Sequence, residues 1–187
     1  CLWINNKTLL VGESFRTNKS GINQLSEILH KYGIKLVKIK IPKYKNENSC
    51  FHLMSLISML DNDLAIGCFK LMPLELINLL KNNNIKIIKT IGINSIKDLN
   101  KIKEYTNIDY FLFDYKPKKE SELPGGNYKK FDWKILKNIK IPIKWFLSGG
   151  INMYNVNDAL SLLNPYGIDI SSGVEEKIGI KSNKKIL

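Results

Sequence analysis

The chain has 187 residues, of which 44% are hydrophobic, so it can bury a core and is not expected to be disordered. No apolar run is long enough to span a membrane, and the first residues carry no basic segment, which predicts no signal peptide. The net charge of +12 comes almost entirely from lysines spread along the chain, so it predicts no specific nucleic-acid partner.

Strand and helix patterns alternate irregularly over the first 84 residues. Apolar residues at helical spacing predict a helix over Ser20–Tyr32 that ends at Gly33. The turn Asp61-Asn62-Asp63, between two short apolar runs, predicts a hairpin. A second helix is predicted over Pro73–Leu80, and an Asn-rich stretch follows it. The remaining apolar patterns predict three further strands, over Leu2–Asn5, Thr8–Val11 and Ile34–Ile41.

From Ile85 onward the pattern changes to a regular alternation of strands and helices. Predicted strands cover Ile85–Ile93, Tyr110–Phe113, Ile143–Leu147 and Ile168–Ile170. Predicted helices follow the first three of them, over residues 95–105, 133–138 and 155–163. Four tandem βα units predict a parallel sheet or part of a barrel.

Two of these strands end in turns rich in small residues. Ser148-Gly149-Gly150 follows one strand, and Ser171-Ser172-Gly173 follows the next. Small residues let a ligand approach the backbone, and successive N–H groups can bind an anion. A single turn of this kind is more often only a tight strand–helix connection. Two such turns after adjacent strands favour the phosphate site that is common after the last strands of (β/α)8 barrels.

Asp114 ends the apolar strand Tyr110-Phe111-Leu112-Phe113. A carboxyl group at the C-terminal end of a barrel strand lies on the face where active sites form. A helix-capping or loop aspartate occupies the same kind of position. Position alone therefore leaves a catalytic and a capping role equally open.

Several motifs in the second half resemble phosphoribosylanthranilate isomerase in order and spacing. They are Asp109 to Asp114, Leu123-Pro124-Gly125-Gly126-Asn127, Phe131-Asp132-Trp133, Leu147 to Asn152, Gly167 to Glu175, and Gly179-Ile180-Lys181. The resemblance covers about 100 residues. It implies a (β/α)8 barrel and an Amadori rearrangement in tryptophan biosynthesis.

The resemblance also implies roles for individual residues. Asp114 would be the general acid that protonates the ribose ring oxygen. The substrate phosphate would be held by residues of the two small-residue turns: Gly149, Gly150, Ser171, Ser172 and Gly173. No cofactor and no metal would be needed, and the partner would be a phosphorylated small molecule.

The chain departs from that family in its first half. The Lys-x-Cys-Gly motif that carries the family's general base is absent, and Cys1, Cys50 and Cys68 lie in other contexts. Their odd number and irregular spacing indicate a reducing cytoplasm rather than disulfides or a metal site. Without a base, most of the acid–base contribution to catalysis is expected to be lost. Half a barrel exposes sheet edges, which a homo-oligomer could cover.

The N-terminal half resembles a different family. Arg16 is the sole arginine beside 28 lysines, which by itself is also explained by chance. His52 precedes an apolar run, which by itself also fits an ordinary hydrogen-bonded core histidine. Gly12 to Asn18 and His52-Leu53-Met54-Ser55 resemble the dimethylargininase and amidinotransferase group. This implies an α/β propeller in which Arg16 binds the substrate α-carboxylate and His52 is the general acid/base. The nucleophilic cysteine of that group is missing.

The sequence therefore predicts an α/β protein with two parts. Residues 1–84 would be a partial α/β-propeller fragment, and residues 85–187 the C-terminal (βα)4 half of a TIM-type barrel. The leading function is an incomplete phosphoribosylanthranilate isomerase. The alternatives are a guanidino hydrolase or amidinotransferase fragment, a non-catalytic module that binds phosphorylated ligands, and two partial genes joined between about residues 82 and 90.

Overall fold

A computed structural model describes residues 1–14, 16–42, 52–69, 71–117 and 130–186. The chain divides into two compact units, Cys1–Lys89 and Thr90–Leu187. The predicted boundary after residue 84 separates segments that resemble two different families, and it stays a prediction.

The first unit begins with a ββαβ module. It consists of β1 (Leu2–Asn5), β2 (Thr8–Glu13), α1 (Lys19–His30) and β3 (Lys35–Lys40). Strand β1 is antiparallel to β2, because a tight turn joins them, and β3 is parallel to β2 after the helical crossover. The Asn18 side chain caps α1 by accepting a hydrogen bond from the Gly21 N–H at 2.9 Å.

A second ββαβ module follows in the same unit. After the short helix α2 (Leu53–Leu56), it contains β4 (Ile57–Asp61), β5 (Leu64–Gly67), α3 (Leu74–Asn82) and β6 (Lys86–Ile93). Strands β4 and β5 form the predicted hairpin, and β6 is parallel to β5. Helix α3 starts after Pro73, as the proline predicts. Strand β6 continues past Lys89 into the second unit.

The two modules share one hydrophobic cluster in the first unit. Its fully buried members come from strands and helices of both modules, and they include Leu10, Ile39, Ala65, Leu76, Leu80 and Ile87. Leu9, Leu10 and Val11 of β2 and Ala65 of β5 are buried.

The second unit continues the strand–helix alternation with parallel strands. After the end of β6 come β7 (Tyr110–Tyr115), β8 (Trp145–Leu147), α4 (Val156–Leu162) and β9 (Gly167–Ile168). Strand β8 is parallel to both β7 and β9. The unit closes with an antiparallel hairpin and a helical turn: β10 (Glu175–Lys177), β11 (Ile180–Lys181) and α5 (Asn183–Ile186). Parallel pairing brings the carboxyl ends of β7, β8 and β9 to one edge.

Two of the helices predicted in this unit are 3₁₀ helices. They cover Ile96–Glu104 and Trp133–Leu136. The second has only four residues, a length at which i+3 hydrogen bonding is common. The predicted strand Ile168–Ile170 also ends earlier, at Ile168. The predicted loop motif Leu123-Pro124-Gly125-Gly126-Asn127 lies outside the described residues.

Candidate functional site

Three polar side chains stand directly at the carboxyl edge of the parallel strands in the second unit. Asp114 lies at the end of β7, Ser148 follows β8, and Asp169 follows β9. The Ser148 N–H donates to the Phe113 carbonyl at 2.8 Å, and the Asp169 N–H donates to the Leu147 carbonyl at 2.8 Å. These backbone bonds extend the sheet register by one residue and hold the three side chains at neighbouring positions.

The carboxyl group of Asp114 is partly buried at this edge. Burial raises its pKa above the ordinary value of 3.8, and the negative charge of Asp169 adds to the rise. The Tyr115 N–H donates to Oδ1 of Asp114 at 2.7 Å and opposes part of that rise. A raised pKa keeps a larger fraction of the carboxyl group protonated, as a proton donor requires.

Gly149 brings the turn after β8 against Asp114. A Cβ at Gly149 would lie 2.8 Å from the Tyr115 backbone nitrogen and 3.1 Å from Oδ1 of Asp114. Both Gly149 and Gly150 have positive φ, 89° and 69°, which side-chain-bearing residues rarely adopt. Two amide side chains hold this turn, because Asn152 and Asn155 both donate to the Gly150 carbonyl, at 3.3 and 3.0 Å.

The second small-residue turn packs against the first. A Cβ at Gly173 would lie only 1.8 Å from the Ile151 carbonyl oxygen, so only glycine fits there. Ser172 beside it is buried. Within the described residues, the N–H groups of Gly149 and Gly150 have no hydrogen-bond acceptor. The two turns and Asp114 therefore lie together, and N–H groups without an acceptor in such turns can bind an anion.

Arg16 and His52 lie in the first unit. Arg16 is exposed after β2, and its N–H donates to Oγ of Ser14 at 3.3 Å. His52 is exposed before α2, and its N–H donates to Oγ of Ser55 at 3.5 Å. The segments that carry them approach each other at Gly12, where a Cβ would lie 3.3 Å from the Leu53 Cβ.

The described cysteines are exposed and lie in the first unit. Cys68 is exposed after β5, and its N–H donates to the Leu56 carbonyl at 2.7 Å. Cys1 is exposed, and Cys50 lies outside the described residues. Among the residues that are described, no group of three or more His, Cys, Asp and Glu side chains is placed to hold a metal ion.

Sequence reasoning did not name Asp169 as a candidate, and it named Ser148 only as the first residue of a predicted phosphate turn. Oδ2 of Asp169 accepts a hydrogen bond from Oγ of Ser148 at 3.1 Å, which joins two adjacent strand ends. The predicted strand Ile168–Ile170 placed Asp169 in its middle, whereas the strand ends at Ile168 and leaves Asp169 at the edge. The usable signal was the same as for Asp114, a carboxylate directly after an apolar strand.

The family model for N-(5'-phosphoribosyl)anthranilate isomerase matches residues 70–187. This chain belongs to that family. A second family model, arginine deiminase, matches residues 1–112, so the chain belongs to that family as well. The two matches overlap in the segment that contains α3 and β6. The predicted resemblance of the second half to the isomerase family is confirmed.

Curated relatives carry the isomerase name. The isomerase of Mesorhizobium japonicum is 50% identical over 96 residues, which are 51% of this chain and 44% of that protein. The isomerase of Rhizobium rhizogenes is 42% identical over 104 residues, which are 55% of this chain and 47% of that protein. The matched region spans about half the length of these relatives.

Solved structures of the isomerase family share the fold. Phosphoribosylanthranilate isomerase from Thermotoga maritima aligns with 98% of this chain and 85% of its own, at a TM-score of 0.51 and 22% identity. The enzyme from Thermus thermophilus aligns over the same shares at a TM-score of 0.50 and 18% identity. The likeness shows the barrel type of α/β fold. A partial propeller in residues 1–84 stays a prediction.

Among the helices that the structure describes, none has the length and apolarity needed to cross a membrane.

Proposed function

We propose that this chain carries the proton-donating and phosphate-binding half of a phosphoribosylanthranilate isomerase. The observation that supports this most is the Asp114 carboxyl group, partly buried and 3.1 Å from the position of a Cβ at Gly149. One surface thus combines a proton donor with a turn suited to an anion. The substrate is N-(5'-phosphoribosyl)anthranilate, a phosphorylated small molecule.

In the proposed reaction, Asp114 transfers its proton to the ribose ring oxygen. The bond between that oxygen and C1 breaks, its electron pair stays on the oxygen, and the anthranilate nitrogen forms a double bond to C1. A base then removes the proton from C2 to give the enol form of the product. The Lys-x-Cys-Gly motif that would supply the base is absent from the chain. We therefore expect slow turnover, reduced by about 10²–10⁴-fold by the missing group.

The phosphate group would bind at the two turns. The N–H groups of Gly149, Gly150, Ser172 and Gly173 supply donors, and Ser171 flanks them. Support comes from the close packing of Gly173 on the Ile151 carbonyl, which joins the two turns. Phosphate contacts through the backbone hold the substrate in place without changing during the reaction.

The first test is an isomerisation assay on the full chain and its Asp114→Asn variant. Turnover should disappear in this variant, because the amide side chain cannot donate an acidic proton. Binding of inorganic phosphate should persist. Asp158→Asn, which replaces an exposed carboxylate in α4, should behave like the parent chain.

Turnover should also fall as the pH rises through the raised pKa of Asp114, since only the protonated form donates. Phosphate binding without any turnover would instead support a non-catalytic binding module.

A second candidate function is guanidine modification by the first unit. Its support is the arginine deiminase match over residues 1–112 and the two successive ββαβ modules. Arg16 would bind the substrate α-carboxylate and His52 would act as general acid/base, in a partial propeller. Turnover of a guanidino amino acid that is lost in His52→Ala would support this activity. Unchanged turnover in Cys68→Ser would exclude Cys68 as the nucleophile.

Three further properties belong to this proposal. The seam between the two ancestral fragments lies near residue 84, a homo-oligomer covers exposed sheet edges, and the chain acts in the cytoplasm. Uninterrupted long sequencing reads across the codons for residues 75–95 would support a genuine fusion. Sedimentation equilibrium of the purified chain would test the oligomer.

A further inference from the structure

The C-terminal hairpin returns to the proposed phosphate turn through one lysine. Nζ of Lys181 lies 2.7 Å from the Ser171 carbonyl oxygen and 3.3 Å from Oγ of Ser171. The same ammonium group lies 2.9 Å from Oε1 of Glu175. Lys181 thus joins Ser171, the first residue of the turn, to Glu175, which lies two residues beyond it.

Two neighbouring contacts reinforce this connection. The Ser182 N–H donates to the Val174 carbonyl at 2.8 Å, and Nζ of Lys185 donates to the Glu175 carbonyl. The Glu175 side chain is only 11% exposed, so its carboxylate gains from a cationic partner. The segment Ser182–Ile186 is therefore fixed to the chain on the C-terminal side of the turn.

The contact to the Ser171 carbonyl has a direct geometric consequence. In a trans peptide unit, the carbonyl of one residue and the N–H of the next point in opposite directions. Among the described residues there is no cis peptide bond. When Lys181 holds the Ser171 carbonyl on the hairpin side, the Ser172 N–H is held toward the opposite side.

We propose that Lys181 is a positioning residue of the phosphate site, which orients the Ser172 N–H toward the ligand by anchoring the Ser171 carbonyl. The inference rests on the proposed function, because it takes the turn over residues 171–173 as a phosphate site. A charged donor to a carbonyl gives a strong hydrogen bond, so the peptide plane is well fixed. The ammonium group also adds positive charge beside an anion site.

The test is a titration of the full chain with inorganic phosphate, followed through the backbone amide signals of Ser172 and Gly173. Lys181→Met should weaken binding by about ten-fold, the usual effect of losing one charged hydrogen bond. Lys181→Arg should restore most of the affinity, because a guanidinium can donate to the same carbonyl.

Lys177→Met is the matched control, because Lys177 is an exposed lysine on the neighbouring strand β10. It removes the same charge without touching the Ser171 carbonyl. Equal weakening in Lys177→Met and Lys181→Met would mean a general charge effect and would overturn the positioning role. Equal affinity of Lys181→Met and the parent chain would also overturn it.

Amide hydrogen exchange without phosphate separates this inference from the proposed function. Faster exchange at Ser172 in Lys181→Met is expected, because the Ser171 carbonyl then keeps only the longer hydrogen bond from the Val174 N–H, at 3.4 Å. Unchanged exchange would overturn the anchoring itself. If exchange accelerates but the parent chain shows no amide shift with phosphate, the phosphate site of the proposed function fails and the positioning role fails with it.

Discussion

At the scale of single residues, two carboxylates lie at neighbouring strand ends. Asp169 accepts a hydrogen bond from Ser148, whereas Asp114 has only a backbone donor, from Tyr115, among the described residues. Burial, and secondarily the charge of Asp169, raises the pKa of Asp114 and favours its protonated form. Pairs of carboxylates in unlike surroundings commonly divide acid and base roles between them.

Gly173 offers a sharp test of the turn geometry. Replacement with alanine should lower the free energy of unfolding by about 3 kcal/mol and abolish phosphate binding, because the added Cβ would overlap the Ile151 carbonyl. Gly21→Ala is the matched control: the nearest atom to its Cβ would be Oδ1 of Asn18 at 3.6 Å, and it lies within α1. Urea unfolding measures both variants. A tolerated Gly173→Ala would show that the two turns do not pack as described.

At the scale of elements, the connection after β6 is organised around Asp98. Its Oδ2 accepts from the N–H groups of Asn94 and Ser95 at 3.1 and 3.0 Å, which caps the start of the 3₁₀ helix Ile96–Glu104. Its Oδ1 lies 2.6 Å from Nζ of Lys116, just after β7. Asp98 therefore joins the segment that follows β6 to the segment that follows β7.

Asp98 also predicts how the second unit responds to acid. Burial raises the pKa of Asp98, but hydrogen bonds from Lys116, Asn94 and Ser95 outweigh burial and lower the pKa from 3.8 to about 2. A lowered folded-state pKa means that stability is present above pH 4 and is lost as the pH falls from about 4 to 2. Asp98→Asn should remove on the order of 2 kcal/mol at pH 7 and reduce the acid dependence in that window.

Urea unfolding at pH 7 and pH 3 measures this loss. Asp158→Asn, which replaces an exposed carboxylate, serves as the control and should leave the acid dependence unchanged. An Asp98→Asn variant that keeps the full pH dependence of the parent chain would contradict the assignment.

At the scale of the whole molecule, the described residues form two hydrophobic clusters, one in each unit. Leu76 is fully buried in the cluster of the first unit, and Leu147 is fully buried in that of the second. The family matches divide in a similar way, with arginine deiminase over residues 1–112 and the isomerase over residues 70–187. A chain built from two such parts is expected to lose cooperativity in unfolding.

Separate core mutations test that expectation. Leu76→Ala and Leu147→Ala should each destabilise by about 3 kcal/mol, because each leaves a cavity in a packed core. Each should shift a different unfolding transition, which hydrogen exchange read by mass spectrometry can assign to residues 1–89 or 90–187. One shared transition, shifted equally by both mutations, would show that the units unfold together.

The sequence by itself determined the local features of this protein. Apolar periodicity predicted the parallel strands, and the residues at the strand ends suggested Asp114 and the turns that contain Gly149, Gly150 and Gly173 as candidates. These features depend on neighbours in the chain, so a single sequence is enough to predict them. The residue motifs also carried the resemblance to the isomerase family, which the family match confirmed.

Only the tertiary structure decided which distant residues meet. Pairing of β7 with β8, and of β8 with β9, places Asp169 and Ser148 beside Asp114, and the closing hairpin brings Lys181 to Ser171. The contact between Asp98 and Lys116 likewise joins residues that are 18 positions apart in the chain. Strand register and hairpin closure are set by packing across the whole unit, and no local pattern encodes them.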